Sequence, residues 1–268
     1  MKLTGKGARQ GNPRLVKALT FCFVFGLVAS LLISGWFGMT SQYSAVLRAE
    51  DIALIQLDAP QPGQPTAVLH TTLGDLTFLL YPEQCPKTVE NFRSLVESGY
   101  YNGTYVFRVE PDIFFEAGAP NADGSLNSDA DSAHEHIDRE LSPKLWPLRG
   151  ALCAVTASAD AGFFRTLTGS QRYYTGSRFL VVDTVEMNEE MQSGLHENET
   201  LSAVADAFIE RGGIPNYSQQ MTVFGQLIDG FDVLDAITSA EVTAEDGETW
   251  APKSDILIES AEFSAVPS

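Results

Sequence analysis

Hydrophobic positions along this chain fall into three spacings, and each predicts a different element. Ala18 to Met39 is an apolar run of 22 residues without a charge, the length of a membrane-spanning helix. From residue 67 the spacing changes to alternation. AVLHTT and DLTFLLY flank Leu73-Gly74-Asp75, with Leu76, Phe78 and Leu80 in step, which predicts a β-hairpin. In CPKTVENFRSLVESG the apolar residues Val89, Phe92, Leu95 and Val96 take helical spacing, with Pro86 in the first turn and Gly99 as a stop. Strands follow at Tyr105–Val109 and Ile113–Phe115, separated by Glu110-Pro111-Asp112, and again in RGALCAV, SRFLVVD, MTVFGQLI and SDILIESAEF. LSAVADAFIERGG reads as a short amphipathic helix with a glycine stop. DGFDVLDAIT reads as a second core helix, N-capped by Asp229, with Phe231, Leu234 and Ile237 on one side. Residues 121–147 and 184–200 are polar and predict loops. Many strands with two or three helices predict a mainly β domain, an antiparallel barrel or sandwich.

Charge adds an orientation. The first 17 residues carry Lys2, Lys6, Arg9, Arg14 and Lys17 and no acid, which leaves the remainder at -23 against the chain's -18. Basic residues ahead of an apolar run stay cytoplasmic, so the rest of the chain is expected across the membrane. The run is longer than a signal-peptide core and lacks an Ala-x-Ala-like exit, which favours an uncleaved signal anchor over a cleaved signal. Both export the body. The organisation expected is a basic tail at 1–17, a transmembrane anchor at 18–39, a Pro/Gln/Gly-rich linker at 40–65, a folded domain at 66–264 with an insertion at 184–213, and a tail at 265–268. A body this acidic is a poor partner for nucleic acid. Cys85 and Cys153 remain outside the apolar run. An exported compartment permits a disulfide between them, and two single buried thiols are the other reading.

One residue does not fit its strand. Arg108 stands among Tyr105, Val106, Phe107 and Val109. It either faces solvent or points into a groove, where its five donors could hold a carbonyl or an amide. His134-Glu135-His136 sets two histidines one residue apart in a polar loop with no clear third ligand, so no metal is expected. Asn102, Asn198 and Asn216 each begin a glycosylation sequon, which matters only where that machinery exists.

The blocks TTLGDLTFLLYPEQCPKTVENFRSLVESGYYNGT and VFRVEPDIFFEAGAP, then RGALCAV, TGSRFLVV, MTVFGQLIDGFDVLDAI and APKSDILIESAEF, resemble the cyclophilin-type peptidyl-prolyl isomerases in order, over residues 66–264. The resemblance implies an eight-stranded antiparallel barrel closed by two helices. It also implies action on X-Pro bonds of polypeptides without a cofactor, here as a membrane-anchored monomer. It places Arg108 at the catalytic position, and Ile113, Phe114, Glu116, Val155, Thr156, Arg178, Leu180, Tyr217 and Met221 in the substrate groove. Several groove positions depart from the family pattern. Glu116 and Arg178 stand where the family has glutamines, Val155-Thr156 replaces an Ala-Asn edge, and Asn216 stands at a Trp or His position. The opposite charges of Glu116 and Arg178 lead to the expectation that they pair, with a Glu116–Arg108 pair as the alternative. A peptide-binding module with little turnover is the competing function.

Overall fold

β1 (Pro65–Thr71) and β2 (Gly74–Leu80) form the expected hairpin, and Leu76, Phe78 and Leu80 are all buried on the inner face of β2. The computed structural model describes residues 48–127, 137–158, 173–245 and 249–267. The apolar run at 18–39 and His134-Glu135-His136 lie outside these residues. Among the described residues, no helix is long and apolar enough to cross a membrane.

The strands that follow are β3 (Thr104–Glu110), β4 (Phe114–Ala119), β5 (Ile137–Asp138), β6 (Ala151–Ser158), β7 (Tyr173–Val182), β8 (Val223–Asp229), β9 (Val242–Glu245), β10 (Thr249–Pro252) and β11 (Leu257–Ala265). Eight of them run in the order β4-β3-β11-β1-β2-β8-β6-β7. Pairing of β4 with β7 closes the ring, and each pair is antiparallel. Closure removes the free strand edges. β5 adds to the outer side of β7, within a segment expected to be loop, and β9 with β10 makes a separate hairpin absent from the sequence reading.

α1 (Pro86–Glu97) packs its buried face, Thr88, Val89, Phe92, Leu95 and Val96, on the barrel. The Phe92 ring lies 5.3 Å from Tyr101 and from Phe224, and 6.1 Å from Phe179, so three strand or loop aromatics converge on one helical residue. α2 (Glu189–Leu195) and α3 (Ser202–Arg211) fold within the insertion. α4 (Phe231–Thr238) buries Val233, Leu234, Ile237 and Thr238. Its N-cap is Gly230 rather than Asp229. The backbone there is left-handed, with φ 92°, and a Cβ would collide with the Asp75 carbonyl. Only glycine makes this entry cheaply, and Asp229 merely accepts the Gly230 N–H at 3.0 Å.

A second apolar cluster sits beside the barrel. Trp146, Leu148, Val204, Ala207 and Phe208 are buried together, with Ile52, Leu54, Met187, Leu195 and Leu201 against them. The insertion thus has its own small core, and Ile52 and Leu54 ahead of β1 take part in it. Gln56 is nearly buried and fully used: its amide donates to the Trp146 carbonyl at 2.9 Å and to Gln226 at 2.8 Å, and its oxygen accepts the Trp146 N–H at 2.6 Å. Within the range read as linker, this part is fastened to the domain. Cys85 and Cys153 are both buried and free. Burial pushes the Cys85 thiol up to about 12, with Glu140 adding to it, so it carries no thiolate reactivity.

Candidate functional site

Arg108 and Glu116 are directly opposite each other in the β3–β4 ladder, and Glu116 in turn faces Leu180 on β7. Register therefore places a cation, a carboxylate and an apolar side chain in one row. A cleft of about 390 Å³ opens there, lined by Glu116, Arg139, Val155, Thr156, Leu180, Tyr217, Gln220 and Met221. Val155 lies at a bulge in β6, where the register shifts between Ala154 and Thr156; bulges re-aim side chains. Tyr217 ends the 3-10 turn Pro215–Tyr217, and Met221 precedes β8.

Six of the expected groove residues, Glu116, Val155, Thr156, Leu180, Tyr217 and Met221, therefore share this cleft. Phe114 lies beneath its rim, with the Arg108 guanidinium 5.1 Å over its ring and the Tyr217 ring 6.2 Å away. Ile113 packs against the barrel core and gives its carbonyl to the Asp183 N–H. Asn216 is exposed on the same 3-10 turn.

The expected Glu116–Arg178 pair is not formed. Arg178 donates to the Gly124 carbonyl at 3.2 Å, while Glu116 sits 3.4 Å from Arg108. The reason is local geometry: Arg108 is the cross-strand neighbour of Glu116, whereas Arg178 stands two residues before Leu180, its neighbour on β7. Arg178 still acts on Glu116 through space, as a weaker attraction than Arg108.

Arg108 has a second carboxylate, Glu110, also at 3.4 Å. Both contacts are longer than the ~2.7–2.9 Å of a well-formed charge-assisted bond. The Arg108 Nε is buried without a hydrogen-bond partner among the described residues. The Arg108 side chain as a whole is 41% exposed. It is held in place by a ring and two loose ion pairs. Burial of Glu116 pushes its carboxyl up from the ordinary value, against the pull of Arg108 and then Arg178. Burial also raises the Tyr217 phenol, which stays a neutral donor.

Arg139, Gln220 and Glu110 were not read as site residues. Glu110 was legible, because residues i and i+2 share a face of a strand. Arg139 was not: its guanidinium donates to the Gln220 carbonyl at 2.5 Å, a contact between residues 81 apart in sequence. Its neighbour Glu140 fixes the segment. α1 has no side-chain cap from Cys85. The Glu140 carboxylate instead accepts the Lys87 N–H at 3.2 Å, the Thr88 N–H at 2.8 Å and the Thr88 hydroxyl at 2.8 Å. Glu140→Ala is expected to cost about 1–2 kcal/mol, the worth of a helix cap, in chemical denaturation. It is also expected to weaken peptide binding by loosening Arg139.

A closed eight-stranded barrel with a lateral cleft, a partly apolar wall and Arg108 paired across the ladder with a residue of that wall defines the class to which this domain conforms. A family model for cyclophilin type peptidyl-prolyl cis-trans isomerase/CLD matches residues 66–263. A Staphylococcus saprophyticus protein named as a peptidyl-prolyl cis-trans isomerase is 36% identical over 196 residues, covering 73% of this chain and 90% of the relative. A Streptococcus pyogenes protein named as a bifunctional phosphatase/peptidyl-prolyl cis-trans isomerase is 32% identical over 215 residues, 80% of this chain but only 42% of that longer protein. The crystal structure of a Cryptosporidium parvum cyclophilin type isomerase, determined in the presence of the dipeptide Ala-Pro, has the same fold. Its TM-score is 0.52 at 23% identity, covering 75% of this chain and 99% of that one. The chain belongs to the cyclophilin-type peptidyl-prolyl cis-trans isomerase family, and the expected barrel is the one found. Among the described residues, no group of three metal-capable side chains is brought together.

Proposed function

We propose that this chain isomerises X-Pro peptide bonds of exported polypeptides in the cleft beside Arg108, while the apolar run at 18–39 holds it at the membrane. The observation that carries this reading is Arg108 itself, stacked over Phe114 and opposite the cleft residue Glu116, with its two terminal nitrogens engaged only in long ion pairs. Rotation about the X-Pro bond must break amide resonance, against a barrier of about 18–20 kcal/mol. The twisted proline nitrogen becomes pyramidal and accepts a proton donor. A guanidinium aimed at it stabilises the twisted state more than either planar one, and that difference is the catalysis. Val155, Leu180, Tyr217 and Met221 supply an apolar seat for the proline ring. The Ala-Pro dipeptide used with the related parasite protein is the same chemistry.

A second reading is a peptide-binding chaperone with little turnover, favoured by the Glu116–Arg108 contact. Exchange spectroscopy on an Ala-Pro-Phe peptide, with catalytic amounts of the full chain in detergent, separates the two. Accelerated cis/trans exchange supports the isomerase. Binding without acceleration sinks it and leaves the chaperone. Protease treatment of intact cells tests the placement: a body that is digested supports export, and a protected one refutes it.

A further inference from the structure

Among the described residues, Glu116 is the one acid in the wall of this cleft, and it faces the residue on which the proposed chemistry depends. Its side chain is 15% exposed, against 41% for Arg108. The groups around it are Arg108 and Glu110 on β3, Arg178 on β7, the Tyr217 phenol and the Arg139 guanidinium in the cleft wall. An ionised Glu116 accepts from Nη1 of Arg108 and offsets much of its positive potential. It also puts a negative charge into the cleft wall. A protonated Glu116 does neither. It becomes a neutral group with one acceptor and one donor, as an amide would be.

We infer that Glu116 is a positioning residue that restrains Arg108 when ionised and releases it when protonated, so that this isomerase works best in mildly acid surroundings. The inference rests on the isomerase reading and adds its regulation. The 3.4 Å separation suits the role, because the pair is close enough to compete with substrate and loose enough to open. Glu110 does not replace Glu116: it holds the other terminal nitrogen, Nη2, also at 3.4 Å, so protonation of Glu116 frees Nη1 while Nη2 stays paired. Burial lifts Glu116 toward the neutral form, which moves the transition above the ordinary carboxylate value of 4.5.

The test is kcat/KM by exchange spectroscopy on an Ala-Pro peptide between pH 4.5 and 8, for the full chain and for Glu116→Gln. The wild type is expected to gain roughly tenfold or more as the pH falls, the order set by releasing one charged hydrogen bond. Glu116→Gln is expected to be fast and flat across the range. The gain should fall in kcat more than in KM, and its midpoint should match the Glu116 carboxyl titration followed by carbon NMR. A mere structural role would leave the profile of Glu116→Gln sloped like the wild type, and that result overturns the inference alone. A Lys-Pro peptide turned over faster at pH 8 than at pH 5 also overturns it, because ionised Glu116 would then be recruiting a basic residue. No catalysis by Glu116→Gln beside an active wild type overturns the inference alone, whereas no catalysis by the wild type at any pH refutes the isomerase reading.

Discussion

Replacing Arg108 by alanine is expected to lower kcat/KM for a proline peptide by about 10²–10³, the cost of removing one preorganised donor from a transition state. The fold should survive. Arg108 makes two ion pairs at 3.4 Å and is 41% exposed, and such pairs contribute about 0–1 kcal/mol at most. The loss should fall in kcat, because the apolar wall of Val155, Leu180, Tyr217 and Met221 that seats the proline ring remains. Arg108→Lys is informative beside it. Lysine keeps the charge but presents a compact ammonium without the planar fork, so it is expected to recover a minor part of the rate. Removing Arg108 also removes the stronger of the two attractions that lower the Glu116 carboxyl. The carboxyl should therefore titrate at higher pH in Arg108→Ala than in the wild type, a shift visible by NMR without any activity.

Asp183→Ala is expected to cost about 2–3 kcal/mol, within the range for breaking a buried, hydrogen-bonded ion pair once the partial exposure of its partner is allowed for. Asp183 ends the run of β7 and is 7% exposed. One carboxylate oxygen accepts from the Arg149 Nε at 2.8 Å and the other from the Thr238 hydroxyl at 2.7 Å, while its backbone N–H reaches the Ile113 carbonyl at 2.7 Å. One side chain thus ties the approach to β6 and the end of α4 together. Arg149 keeps Asp235 and its place 5.4 Å from the Phe231 ring, which limits the loss. For a domain of this size the melting temperature should drop by roughly 5–10 °C. Activity per folded molecule should hold, since Asp183 does not line the cleft. Asp183→Asn retains an acceptor for Thr238 and should lie between the two.

These two residues differ in how far the sequence announced them. Arg108 stood out because a lone charge in a strand of bulky apolar residues demands an explanation. Asp183 gave no such signal, because its partners Arg149 and Thr238 are 34 and 55 residues away. The same division runs through the fold. α1 and α3 were legible from helical spacing and from Gly99 and Gly212, both of positive φ in the structure. The β1–β2 hairpin followed from alternation around a glycine. α2 was missed under its acidic composition, although Asn188 caps it by accepting the Met191 N–H at 2.9 Å and Glu189 and Glu190 fill its first turn, a favourable start for a helix. The β9–β10 hairpin gave too short an alternation to register. In the site, the groove residues came from family resemblance, and the charge pairing came out differently. Sequence shows that Glu116 and Arg178 have opposite signs, but it does not show that register hands Glu116 to Arg108 first. Glu140 as a remote cap for α1, and Arg139 beside it in the cleft, depend on a loop returning to the barrel. No local pattern encodes that return.

The most direct measurement of the central claim is the interconversion rate of an Ala-Pro peptide while bound, read from NMR line shapes at saturating full-length chain and at saturating Arg108→Ala. The account predicts rapid exchange between the bound cis and trans forms in the wild type. In the variant it predicts exchange slowed by about two orders of magnitude or more, with the peptide still bound. Equal exchange in both proteins would contradict it and remove Arg108 from the chemistry.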